Sequence, residues 1–319
     1  MMKILESVVI FLSFNFVKLE VSPNFAKCID KFFYMNTAPL SQGLVGSTQI
    51  CQRLGNQYYY ATEYDTKNRI PYYSLYTLSF DKCGSRYDGW FVEPQLADKN
   101  DPSMVLISGA NNNIATFGRK QAVNVDYTDS GYDRGHLNPQ LYHCETRDSR
   151  KATNSLTNIA PQVPTFNQGI WNKFENTLYD ISKKYCNFVG ARRYYITGVL
   201  PSNDRFISNG RVNVPDHYWT AVCCDSSGAN GTLRNEGAHL EAVMCAIKLS
   251  IWFTLCNTCV TVEDGYVELV FAIITPTFNV ETSINSTITD ISLPMSDTTD
   301  DSCRTGTAYT SGVLAITSS

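Results

Sequence analysis

The clearest periodicity in this chain begins after Asn167. Trp171, Phe174, Leu178, Ile181 and Tyr185 recur at gaps of three and four, the spacing that lays one apolar stripe along an α-helix. Tyr72 to Phe80 is rich in tyrosine, threonine and other β-formers and reads as a strand. Arg193 to Leu200 and His217 to Cys224 read the same way. Residues 28–69 are polar and aromatic and end in a loop. Residues 95–120 carry Asp, Asn, Gly and Pro and also read as loop. Residues 127–133 lead into a short polar motif, so a strand, a loop with polar side chains and a helix follow one another from 127 to 185.

The two ends differ from this middle. Ile4 to Val17 has an apolar centre behind a Met-Met-Lys start. That pattern fits a secretory leader over residues 1–22, and a buried first strand is the alternative. Residues 23–280 are expected to form the folded domain. Within them, 242–262 are mostly apolar but include Lys248 and Asn257, so a buried helix plus strand is favoured over a membrane span. Residues 281–319 are rich in Ser and Thr, acidic, and expected to be a mobile tail.

Composition fits a folded globular protein, with 43% hydrophobic and 18% charged residues. The formal net charge of −4 is unusual for a protein that grips nucleic acid, yet it is unevenly placed. The tail holds five acidic groups against one arginine, whereas residues 131–193 hold nine basic and five acidic groups. That excess is a solvated surface or a modest basic groove. Eleven cysteines suit an oxidising compartment and leave an odd thiol. Asn230-Gly231-Thr232 and Asn285-Ser286-Thr287 are potential glycan acceptors. Cys256-x-x-Cys259 has no second pair at zinc spacing, which favours a disulfide over a metal site.

The chemistry concentrates at Asp133-Arg134-Gly135-His136. Histidine is suited to accept a proton near neutral pH, and arginine to pair with phosphate or brace a turn. The aspartate can orient either neighbour. Downstream stand Asn158-Ile159-Ala160-Pro161-Gln162 and Asn167-Gln168-Gly169-Ile170-Trp171, then Glu175. In an ideal helix, Asn167 and Glu175 would lie about 80° apart around the axis and ~12 Å along it. Both could then ligate one ion directly only if the helix start were bent.

These blocks, in this order, resemble the DNA/RNA non-specific endonucleases of the ββα-metal class. The resemblance covers roughly residues 25–240, where Ile50-Cys51-Gln52-Arg53, Asn68-Arg69-Ile70-Pro71 and Trp219-Thr220-Ala221-Val222-Cys223-Cys224 are similar to the vertebrate endonuclease domain-containing 1 group. It implies an α+β fold, with a mixed, mainly antiparallel sheet, packed helices and a ββα-metal (His-Me) finger at the sheet edge. It also implies His136 as general base and Asn167 as the one direct protein ligand to a hydrated Mg²⁺, or another divalent cation such as Mn²⁺. Glu175 would act through a water, Asn158 would orient the loop or the phosphate, and Arg134 and Asp133 would lie on the substrate side. The competing roles are a helix N-cap for Asn167, an exposed helical carboxylate for Glu175 and a turn residue for Asn158. Several such nucleases aim an arginine at the phosphate from an early strand, and here Tyr76 or Thr77 falls at that place. The implied activity is a secreted, Mg²⁺-dependent, sequence-non-specific endonuclease acting on DNA, with RNA open as a second substrate. The alternative is a secreted glycoprotein of the same fold with weak or no turnover, acting as a binding module.

Overall fold

The computed structural model describes residues 20–39, 44, 46–225, 270–274 and 314–316, the last two stretches as backbone. The segment before residue 20, the apolar stretch 242–262, both glycan acceptors, the Cys256–Cys259 pair and nearly all of 281–319 lie outside the described residues.

The chain opens with β1 (Val21–Ser22), α1 (Ile29–Phe32), β2 (Ser47–Leu54), β3 (Gln57–Asp65) and β4 (Ile70–Thr77). Next come β5 (Phe91–Val92), β6 (Val105–Leu106), β7 (Asp133–His136), α2 (Arg147–Ala152), β8 (Ile159–Gln162) and α3 (Asn172–Tyr185). It continues through β9 (Arg192–Leu200), β10 (Phe206–Ile207), β11 (Val212–Asn213), β12 (His217–Asp225), β13 (Val270–Ile274) and β14 (Leu314–Ile316). The main sheet runs β1-β2-β3-β4-β9-β12-β13-β14. Its pairings are antiparallel except β13 with β14, so the sheet is mixed and mainly antiparallel as expected. Three residues of the expected tail thus form its outer strand.

Period-two alternation sends neighbouring side chains to opposite faces, and here both faces are covered. Tyr60, Tyr76, Tyr195 and Tyr218 pack with Trp171, Phe174 and Leu178 of the helical layer. Ala61, Tyr73, Leu75, Ile196 and Ala221 pack with Phe25, Phe32 and Phe33 on the other side. β2 and β3 show no clear alternation in the sequence because they carry buried polar residues, including Gln52, Thr62, Glu63 and Asp65. Such groups mask alternation, and hydrogen bonding offsets their burial. Gln52 Nε2, for example, donates to Thr62 Oγ1 at 3.1 Å and Thr157 Oγ1 at 2.7 Å.

At the N-terminal end, Val21 pairs with Ile50 and Ser22 with Gln49, and Glu20 is buried. A leader that ended at residue 22 would carry this edge strand away, whereas one that ended before Glu20 would leave it in place. Among the described residues, three disulfides staple the fold. Cys28–Cys51 ties α1 to β2, Cys186–Cys224 ties the end of α3 to β12, and Cys83–Cys144 ties the 79–90 loop to the turn beyond His136. Among the described residues, no helix is long and apolar enough to cross a membrane.

Candidate active site

The site is built on one supersecondary unit. β7 pairs with β8, His136 opposite Ile159 and Asp133 opposite Gln162. Gly135 is required there by packing, since a Cβ would run into the buried Gln162 side chain. β8 leads through Val163-Pro164-Thr165 into a π-helical turn, Phe166–Trp171, and then into α3. Two strands and a helix thus hold the residues that the sequence singled out. The expected apolar stripe is present, with Trp171, Phe174 and Leu178 buried. The π-turn is the bent start that the spacing of Asn167 and Glu175 called for. A wider turn rotates less per residue and reduces the angular offset between the two.

His136 is held by a residue that the sequence did not flag. Its Nε2 lies 2.9 Å from Asn154 Oδ1. The Asn154 amide is oriented by its other bonds, with Nδ2 donating to Tyr87 O at 3.0 Å and Gly89 O at 2.8 Å. Oδ1, which also accepts from Gln140 Nε2 at 2.6 Å, can therefore only accept from the ring. Nε2 carries the hydrogen and Nδ1 keeps its lone pair. The Trp90 ring lies against the imidazole, centroids 5.4 Å apart. Enclosure lowers the His136 pKa to about 4, with the bond to Asn154 opposing the shift and the charge of Arg86 adding to it. The ring is neutral at pH 7.

Asn167 is not a helix cap. It lies inside the π-turn, and its Nδ2 donates to Asp133 Oδ2 at 2.9 Å. Gln168 Nε2 donates to the same oxygen at 2.8 Å. Asp133 thereby fixes the amide so that Asn167 Oδ1 is the atom presented. Glu175 is half-exposed by area but enclosed at its carboxyl, and desolvation raises its pKa to about 8. The Trp171 indole offsets part of that rise without making a well-aligned bond, and Arg86 offsets a little more. A presented amide oxygen, a nearby aspartate and a carboxyl that a cation would ionise suit a hard, hydrated divalent ion. Among the described residues, no group of three or more His, Cys, Asp and Glu is placed to hold a metal. One amide ligand completed by waters requires none.

Arg134 braces. Its guanidinium lies 5.3 Å from the Trp90 ring and 5.5 Å from the Tyr127 ring, half-buried. Asn158 is buried and fully engaged. It accepts from Ser74 Oγ at 2.9 Å and Asn138 N at 3.0 Å, and donates to Asn138 O and Thr153 O. Those bonds orient the loop and leave no atom for a phosphate. Tyr76 points into the core, stacked on Tyr195 and bonded to Thr197 Oγ1 at 2.7 Å, and cannot face a substrate. The cation whose charge bears on both His136 and Glu175 is Arg86. It stands exposed on the 79–90 loop, 3.9 Å from Asp88. That loop is tied by Cys83–Cys144, by Arg150 to the Gly84 and Ser85 carbonyls, and by Gln140 to Tyr87.

Asn154, Trp90 and Arg86 could not be found by motif, because they reach the histidine from loops that only the fold brings there. The one local hint for Asn154 is its place four residues before Asn158 in the same short segment.

β7, β8 and the helix that follows thus form one ββα unit that carries His136, Asn167 and Glu175. The family model for DNA/RNA non-specific endonucleases matches residues 45–266, and the chain belongs to that family. It is 34% identical over 211 residues to human endonuclease domain-containing 1 protein, covering 66% of this chain and 41% of the relative. The mouse protein is 33% identical with the same coverage. Human mitochondrial endonuclease G is 32% identical over 125 residues, covering 36% of this chain and 40% of the relative. The chain thus spans about two fifths of the length of these curated relatives. A solved EndoG/EndoGI complex matches with a TM-score of 0.37 and 24% identity over 55% of this chain and 68% of that one, a likeness too slight to argue from.

Proposed function

We propose that this domain is a secreted, divalent-cation-dependent endonuclease that hydrolyses phosphodiester bonds without sequence preference, in DNA and through the same phosphate chemistry in RNA. The observation that carries the reading is the contact of His136 Nε2 with Asn154 Oδ1. An acceptor-only contact to Nε2 leaves Nδ1 as the free base, in the unit that also presents Asn167 Oδ1.

In this mechanism Nδ1 of His136 takes a proton from the attacking water. A pKa near 4 makes the free imidazole a weak base. An anionic phosphate beside it favours the charged ring and moves the value toward neutrality. Asn154 holds the ring in place while the proton arrives. Asp133 fixes the Asn167 amide, so that Asn167 Oδ1 would hold the ion and Glu175 would hold one of its waters. When bound, Mg²⁺ or Mn²⁺ would neutralise charge on the phosphoryl and leaving oxygens. Arg86 grips the phosphate from the loop, the role expected of an arginine on the early strand, while Arg134 braces His136 through Trp90. Disulfides agree with an oxidising compartment.

Purified protein on supercoiled plasmid tests the proposal, with Mg²⁺ and with chelator. Metal-dependent nicking is expected. Binding without nicking in Mg²⁺ and Mn²⁺ would favour the binding-module reading.

A further inference from the structure

Two carboxyl groups meet in the interior away from the catalytic unit. Glu20 precedes β1 and Glu93 follows β5, and both side chains are buried. One oxygen of each is satisfied. Glu20 Oε1 accepts from the Arg53 backbone N–H, and Glu93 Oε1 accepts from Ser155 Oγ at 2.8 Å and Thr157 Oγ1 at 3.4 Å. Among the described residues the other oxygen of each, Oε2, has no donor, and the two carboxyls lie within hydrogen-bonding reach of each other. Two ionised carboxylates at that separation in a dry interior would repel strongly, whereas one shared proton satisfies both.

The charged and titratable groups facing the pair are few. Arg53 on β2 attracts Glu20, but its guanidinium is turned outward to Asn56 Oδ1 at 2.9 Å. Asp101 adds negative charge near Glu93, and Tyr58 and Tyr60 on β3 are neutral neighbours that feel the pair. Among the described residues, no cation neutralises a second charge.

The pair also joins separate parts of the chain. The Gln95 side chain accepts from Glu20 N at 2.9 Å and Val21 N at 2.8 Å, and Cys51 N donates to Glu20 O at 3.1 Å. On the other side, Ser155 and Thr157 flank the turn between Asn154, which holds His136, and Asn158.

We propose that Glu20 and Glu93 form a proton-sharing latch that docks the N-terminal edge strand in acid and loosens it as the pH rises through neutrality. Burial, with the charge of Glu93 adding to it, pushes Glu20 well above the usual carboxylate range, and burial raises Glu93 to about 7 against the opposing bonds from Glu20, Ser155 and Thr157. A carboxyl whose folded pKa lies above its unfolded value contributes stability that is fully present below the unfolded value and is lost as pH rises through the folded one. Stability is thus highest in acid, falls as the first proton leaves Glu93 by about pH 7, and falls further as the shared proton leaves Glu20 above that.

The test compares the melting temperature of the wild type and Glu20→Gln between acid and mildly basic pH. The wild type should fall by roughly 5–10 °C more than Glu20→Gln over that interval. Glu175 titrates in both proteins and cancels in the comparison. Parallel curves would overturn the proposal. Should Glu20→Gln fail to fold, hydrogen exchange on the wild type decides. After correction for intrinsic rates, the Val21 and Cys51 amides should lose protection with rising pH while β9 amides do not, and uniform behaviour would overturn it. Added Mg²⁺ or Ca²⁺ that abolishes the wild-type fall and spares Glu20→Gln would also overturn it, by assigning the pair to a cation.

Discussion

Asn154→Ala should disable the site without unfolding the protein. Truncation removes the acceptor of His136 Nε2 and the donor to Gly89 O, while Tyr87 O keeps the Gln140 amide. A buried polar group left unpaired costs about 1–3 kcal/mol. If one such cost falls on holding the imidazole in its productive pose, kcat drops about 5- to 150-fold. Asn154→Asp probes the same contact by charge. It keeps an acceptor at Nε2 but adds a negative charge beside the ring, which should raise the pKa by about 1–3 units. The acid limb of kcat/KM reports the free enzyme's base. It should lie near pH 4 in the wild type and move up in Asn154→Asp. The assay is initial nicking rate against pH at saturating Mg²⁺, with circular dichroism to confirm folding. A wild-type acid limb near 6.5, or a folded Asn154→Ala with wild-type kcat, would refute the reasoning.

Arg86→Ala should raise the KM for plasmid about tenfold with little change in melting temperature, since the side chain is exposed and its one ion pair is weak. Tyr76→Arg, by contrast, should fail to fold, because it places a cation in the core between the stacked ring of Tyr195 and the tilted ring of Tyr142. Glu175 is protonated at pH 7, so Mg²⁺ binding there should release about one proton per ion, falling away as the pH passes about 8. Calorimetry in buffers of different ionisation heat measures that proton, and Glu175→Gln should abolish it. Gly135→Ala should lower the melting temperature by several degrees, with partial rescue by Gln162→Ala. No loss would mean that the Gln162 side chain moves aside freely.

The sequence was most legible where one face of an element carried the signal. The stripe from Trp171 to Leu178 announced α3, and β-formers announced β4, β9 and β12, each within two or three residues of its observed ends. The motif residues Asp133, His136 and Asn167 also arrive on one unit, because β7, β8 and α3 follow one another with short connections. Legibility failed for physical reasons. β2 and β3 bury polar side chains that pair with distant partners such as Thr157. The π-turn has no local signature. Asn154, Trp90 and Arg86 reach the site only after the 79–90 loop is stapled across it. Of the two positions matched to a phosphate arginine, Tyr76 is turned into the core and Thr77 is half-buried, and the exposed Arg86 comes from the loop that follows β4.

The central claim is that His136 supplies the base while Asn167 holds the ion, and His136→Ala tests it most directly. Plasmid nicking and Mg²⁺ binding are measured on the same preparation. Removal of a general base typically costs ~10²–10⁴-fold, so nicking should nearly vanish while the Mg²⁺ affinity stays at the wild-type value. A His136→Ala protein that nicks as fast as the wild type, or that loses Mg²⁺ binding along with activity, would contradict the account.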